Sequence, residues 1–138
     1  MYSEEFGKDK NPTFICLHGL LGSSRNWRSV AKAIGEKFHV FALDLRNHGQ
    51  SFHSDHSSIT SISEDILQWM KEKEIENSIF CGHSLGGKVA MKIACDHPNQ
   101  VNSLIVVDIA PRNYPKDHHL PTLDALLGLD LSSITTRK

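Results

Sequence analysis

The chain alternates short apolar runs with segments whose apolar residues recur at helical spacing. Residues 13–17 (TFICL), 38–43 (FHVFAL), 78–81 (SIFC) and 101–107 (VNSLIVV) are short, apolar and rich in β-formers, which predicts four strands. Between the first two, Trp27, Val30, Ala31 and Ile34 fall on one side of a helix over 26–34 that Gly35 ends. Ile62, Ile66, Trp69 and Met70 mark a second helix, entered through a capping box of Ser61 and Glu64. A third helix spans 85–95 and stops before Pro98, which cannot continue it. Residues 120–131 predict one more helix. Residues 1–12 are polar, end in the turn signal Asn11-Pro12 and read as an N-terminal tail. The core then covers 13–115, and 116–138 reads as the start of a lid or a disordered tail.

Strands alternating with amphipathic helices predict an α/β fold, an open parallel sheet with helices on both faces. Ligands bind such sheets beyond the carboxyl ends of the strands. His18-Gly19, Asp44, Gly82-His83-Ser84 and Asp108 each follow a predicted strand.

Length and composition narrow the classes. The 138 residues hold one domain, and 39% hydrophobic with 22% charged residues is an ordinary globular composition. The formal net charge of −1 gives nucleic acid and anionic membranes no electrostatic foothold. Nine histidines make that charge climb as pH falls toward about 6. No apolar run approaches the ~18 residues a membrane span needs. Glu4, Glu5 and Asp9 fit neither a secretory signal nor a mitochondrial presequence, so the expected compartment is the cytoplasm. Three separated cysteines read as free buried thiols in a reducing compartment. Cys81 adjoins a candidate nucleophile but has no cation to stabilise a thiolate.

Gly82-His83-Ser84-Leu85-Gly86 fits G-x-S-x-G, with an apolar strand running in and an amphipathic helix running out. The pattern expects a sharp turn at Ser84, with Gly82 and Gly86 leaving room for close backbone approach. Ser84 Oγ then stands clear at the amino end of a helix, where negative charge is favoured. The Leu85 amide is positioned to meet the oxyanion of a tetrahedral intermediate. After the first strand, His18-Gly19 turns a second amide, that of Leu20, toward the same point. His18 reads as a hydrogen-bonded structural residue and His83 as packing, turned away from Ser84 Oγ. The plain alternative for the whole motif is a glycine-rich turn around a helix-capping serine.

These stretches resemble the α/β-hydrolase superfamily, and within it the abhydrolase domain-containing protein 11 group and its bacterial short-chain esterase relatives. The resemblance lies in F-I-C-L-H-G-L-L-G-S-S-R-N-W (14–27), D-L-R-N-H-G-Q-S (44–51), C-G-H-S-L-G-G-K-V-A-M (81–91) and V-V-D-I-A-P (106–111). The first and third stretches are general to the superfamily. R-N-H-G and D-I-A-P are narrower. The resemblance covers about 13–115 and implies a serine hydrolase of acyl or acylglycerol esters, with a small-molecule or lipid substrate and neither metal nor organic cofactor. In this group the triad acid sits at the end of the strand after the nucleophile helix, which is Asp108 here. A solvated or capping acid is the alternative for Asp108. Asp44 precedes the nucleophile and reads as structural, fixing the 46–51 loop. Eukaryotic members of the group are mitochondrial and bacterial ones cytoplasmic.

The resemblance also expects a late histidine base, and the chain ends at Lys138 without the corresponding segment. The expectation is therefore an incomplete α/β-hydrolase fold lacking its C-terminal strands, with activity in doubt, since losing the base costs on the order of 10⁶ in kcat. His118 and His119 are the substitutes to weigh, against a solvated loop over 115–119. The strand 101–107 would then be an open apolar edge that invites self-association. The rival function is an inactive half-hydrolase acting as an interaction module. A thioesterase or peptidase using the same triad is a weaker third. His53 and His56 lack a convincing third ligand for a metal, and Trp27 and Trp69 read as core.

Overall fold

The computed structural model describes residues 1–115 and 120–130. The predicted strands form as β2 (Thr13–Leu17), β3 (His39–Leu43), β4 (Ser78–His83) and β5 (Val101–Val107). All their pairings are parallel, β3 with β2, β2 with β4 and β4 with β5. The helices are α1 (Arg28–Ile34), α2 (Ile59–Glu72), α3 (Leu85–Asp96) and α4 (Leu120–Leu127).

The sheet has a fifth strand. Residues 1–12 are not a tail: β1 (Ser3–Phe6) pairs antiparallel with β3, giving the order β1-β3-β2-β4-β5. This strand is hard to see in the sequence because its charged side chains are satisfied by partners rather than by burial. Glu4 accepts two bonds from Arg28, at 2.6 and 2.7 Å, and Glu5 meets His39 at 2.7 Å. Arg28 holds the Glu4 carboxyl below its ordinary value.

Parallel strands buried on both faces alternate their side chains between two cores. Ile15, Leu17, Phe41, Leu43 and Phe80 face α2 and α3, which contribute Ile66, Met70, Val89 and Ile93. Phe14, Cys16, Val40 and Ala42 face the opposite side, where Ala31 of α1 and the partly buried Trp27 pack. Trp69 is core, edge-on to Phe41 at 5.1 Å.

Three local readings change. The cap of α2 is Ser58, whose hydroxyl accepts the Ser61 amide at 3.1 Å while Ser61 Oγ accepts the Ser58 amide at 2.8 Å. The box thus begins three residues before the predicted Ser61–Glu64 pair, with serine serving where glutamate is usual. Val30, predicted to be core, is 47% exposed. A tighter 3₁₀ turn at Ser24–Trp27 precedes α1 and shifts the phase of the apolar face. Cys95 is exposed, whereas Cys16 and Cys81 are the buried free thiols. Burial pushes Cys16 up to about 12 and raises Cys81 as well, so neither is a ready thiolate.

β5 closes the other side of the described sheet. Leu104, Ile105 and Val107 lie 37%, 44% and 38% exposed along it. Among the described residues no helix is long and apolar enough to cross a membrane.

Candidate active site

The carboxyl ends of β2, β4 and β5 meet at one cleft of about 610 Å³. Leu20, His83, Ser84, Leu85 and Asp108 all line it. Asp44 lies apart, buried beneath the neighbouring loop.

Ser84 sits at φ 49°, ψ −112°, in the sharp turn between β4 and α3. A non-glycine residue holds such angles only when its surroundings over-determine them. Here its amide donates to Val107 O at 3.0 Å and its carbonyl accepts from Lys88 at 3.1 Å. Gly82 and Gly86 are required by space. A Cβ on Gly82 would collide with the Gly86 carbonyl, and one on Gly86 with the Leu17 carbonyl. The second approach lets the Gly86 amide donate to His18 O at 3.1 Å, which locks the start of α3 to the loop after β2.

That loop is organised by a buried imidazole. His18 is 1% exposed, with Nδ1 2.7 Å from Gly19 O and Nε2 accepting the Leu45 amide at 3.1 Å. Carbonyls only accept, so Nδ1 carries the proton. Burial lowers the His18 pKa, and the ring is held neutral. Gly19 O also accepts the Gly22 amide at 3.0 Å. In a trans peptide the next N–H points opposite to the carbonyl. With Gly19 O turned inward, the Leu20 amide is turned away from His18. Among the described residues neither the Leu20 nor the Leu85 amide has an acceptor.

Asp44 matches its structural reading. Its carboxylate accepts the Ser24 amide at 2.6 Å and the Gln50 amide at 2.7 Å, tying the 46–51 loop to the turn before α1. Burial alone would raise its pKa, but these bonds outweigh that penalty and lower it. Arg46 anchors the same loop, with a two-pronged bond to Asp65 at 2.6 and 2.7 Å.

His83 departs from expectation. Its sequence reads as packing, yet its side chain is 46% exposed, with Nε2 4.0 Å from Asp108 Oδ2. β4 extends to His83 and pairs it with Val107, which brings it beside Asp108 at the sheet's open end. Asp108 itself is 89% exposed at φ 55°. Among the described residues no histidine hydrogen-bonds Ser84 Oγ. His118 and His119 lie outside the described residues. Among those described, no three His, Cys, Asp or Glu side chains are grouped to hold a metal ion.

Sequence reasoning missed the far wall of the cleft. Lys88 Nζ donates to Arg112 O at 2.6 Å and lies 4.6 Å from the Tyr114 ring centre, with Arg112 4.7 Å from the same ring. The signal for Lys88 was its place four residues after Ser84, on the same helix face.

Comparison with known proteins places the fold. Residues 12–131 match the family described as alpha/beta hydrolase fold. The chain belongs to the α/β-hydrolase fold family. Two relatives are named sn-1-specific diacylglycerol lipase ABHD11. The one from Xenopus laevis is 40% identical over 76% of this chain, and the one from Mus musculus 38% identical over 79%. A solved structure titled "Marine microorganism esterase" superimposes on 98% of the chain with a TM-score of 0.91 at 38% identity. The chain spans 34% and 36% of the two lipases and 53% of that esterase. As an α/β hydrolase it therefore aligns with only part of these longer relatives.

Proposed function

We propose that the chain carries the nucleophile, acid and oxyanion donors of a serine hydrolase acting on carboxylic esters of the acyl or acylglycerol type. The observation that carries this reading is Ser84, strained at the head of α3, with Asp108 and two amides that have no acceptor among the described residues around the same cleft. The names of the relatives support the substrate class.

In this scheme Ser84 Oγ attacks the ester carbonyl and passes its proton to an imidazole oriented by Asp108. The oxyanion receives the Leu20 and Leu85 N–H groups. Collapse breaks the acyl–oxygen bond, the alcohol leaves with the proton, and water then releases the acid from Ser84. The imidazole is the part that no described residue supplies.

The test is hydrolysis of a short-chain p-nitrophenyl ester by the chain and by Ser84→Ala, each with imidazole added to stand in for the base that no described residue supplies. Turnover that disappears in Ser84→Ala supports the reading. Equal rates from two folded proteins contradict it. They would favour the second reading, an interaction module pairing through β5, whose row of exposed Leu104, Ile105 and Val107 is the observation behind it.

A further inference from the structure

We propose that His48 is a positioning residue for the oxyanion loop, acting as a neutral imidazole in one fixed tautomer. The proposal rests on the reading of the Leu20 amide as an oxyanion donor.

Leu21 lies at φ 61°, a left-handed conformation that a leucine keeps only under outside constraint. The constraint comes from 27 residues away, where His48 Nε2 accepts the Leu21 amide at 3.2 Å. On the other side of the ring, Nδ1 lies 2.9 Å from Arg46 O. That carbonyl can only accept, so the proton sits on Nδ1 and Nε2 is left as an acceptor. The His48 ring packs against His18, centroids 4.9 Å apart at 57°.

The two imidazoles therefore grip the loop on either side of Leu20. His18 takes the Gly19 carbonyl and His48 takes the Leu21 amide. Between these fixed points the peptide joining Gly19 and Leu20 has no freedom to flip. Among the described residues its N–H has no acceptor of its own, as a preorganised oxyanion donor requires. His48 is in turn held by Arg46, whose guanidinium is clamped to Asp65 and to the carbonyls of His56 and Ser61. The loop geometry is thus set from α2 through Arg46 and His48. His48 does not touch a reacting atom.

The test compares the chain with His48→Ala and His48→Gln, the latter offering an amide oxygen where Nε2 stood. In ¹⁵N NMR of the wild type, Nε2 should be unprotonated and coupled across the hydrogen bond to the Leu21 amide. The Leu20 and Leu21 amide resonances should move in His48→Ala and return toward wild type in His48→Gln. With imidazole added, fluorophosphonate labelling of Ser84 should slow at least roughly tenfold in His48→Ala and recover in His48→Gln, the order expected for a misplaced oxyanion donor. A protonated Nε2, or unmoved Leu20 and Leu21 resonances in His48→Ala, overturns the proposal. So does equal slowing in both variants at equal stability. If no form labels, the nucleophile reading fails, and the NMR result alone decides the role of His48.

Discussion

Gly86 and Leu17 come so close that any side chain at position 86 would collide with the Leu17 carbonyl. One atom's absence thus sets the spacing between the head of α3 and the loop after β2, and with it the spacing of the Leu85 and Leu20 amides. Gly86→Ala should cost more than about 3 kcal/mol, because the Leu17 carbonyl is backbone and cannot swing aside. Urea unfolding measures this, and a midpoint near wild type would show that the two segments separate easily.

Ser84 gives the opposite prediction. Its φ of 49° is strained for any side chain, and glycine relieves that strain. Ser84→Gly should be about 1 kcal/mol more stable than Ser84→Ala, although both lack the nucleophile. Equal stability would mean that the turn carries no strain.

Much of this was legible in the chain, for definite reasons. Four buried parallel strands announce themselves as apolar runs, and G-x-S-x-G was informative because of the strand and helix on either side. β1 was hidden because Glu4 and Glu5 find hydrogen-bond partners in Arg28 and His39, contacts that span 24 and 34 residues. His83 was misplaced because β4 runs on to pair it with Val107, at the strand's end, where its side chain is exposed. The grip of His48 on Leu21 joins two loops and leaves no periodic trace in either.

The buried His18 makes stability depend on pH. Its folded pKa lies below the ordinary 6.5, so the unfolded chain binds the proton first. Its contribution is complete above about 6.5 and is lost as pH falls through that value toward the folded pKa. Asp44, also depressed, adds a second loss below its ordinary 3.8. Urea midpoints measured downward from pH 7 should fall in both windows, and His18→Gln should flatten the first. An unchanged upper window in His18→Gln would assign it to another histidine.

Arg46 and Asp65 form a partly buried, two-pronged pair. Arg46→Met should cost about 2–3 kcal/mol by leaving the carboxylate without its partner. Adding Asp65→Leu should recover part of that loss. Strict additivity of the two substitutions in urea unfolding would show that the pair is not coupled.

Among the described residues β5 is paired on one side only, by β4, which bears on solution behaviour. Ile105→Lys should reduce concentration-dependent association in sedimentation velocity, since a charge on an edge strand opposes pairing. Identical sedimentation of the variant and the wild type would remove β5 as a contact surface.

Ser84 is proposed as a poised nucleophile that lacks an imidazole among the described residues. Fluorophosphonate labelling, read by mass spectrometry of the Ser84 peptide with and without added imidazole, tests it most directly. The Ser84 Oγ–phosphorus bond forms as fluoride leaves, and the serine proton passes to the imidazole. An adduct on Ser84 should form, faster with imidazole, and be absent in Ser84→Ala. A folded chain that forms no Ser84 adduct under either condition would contradict it.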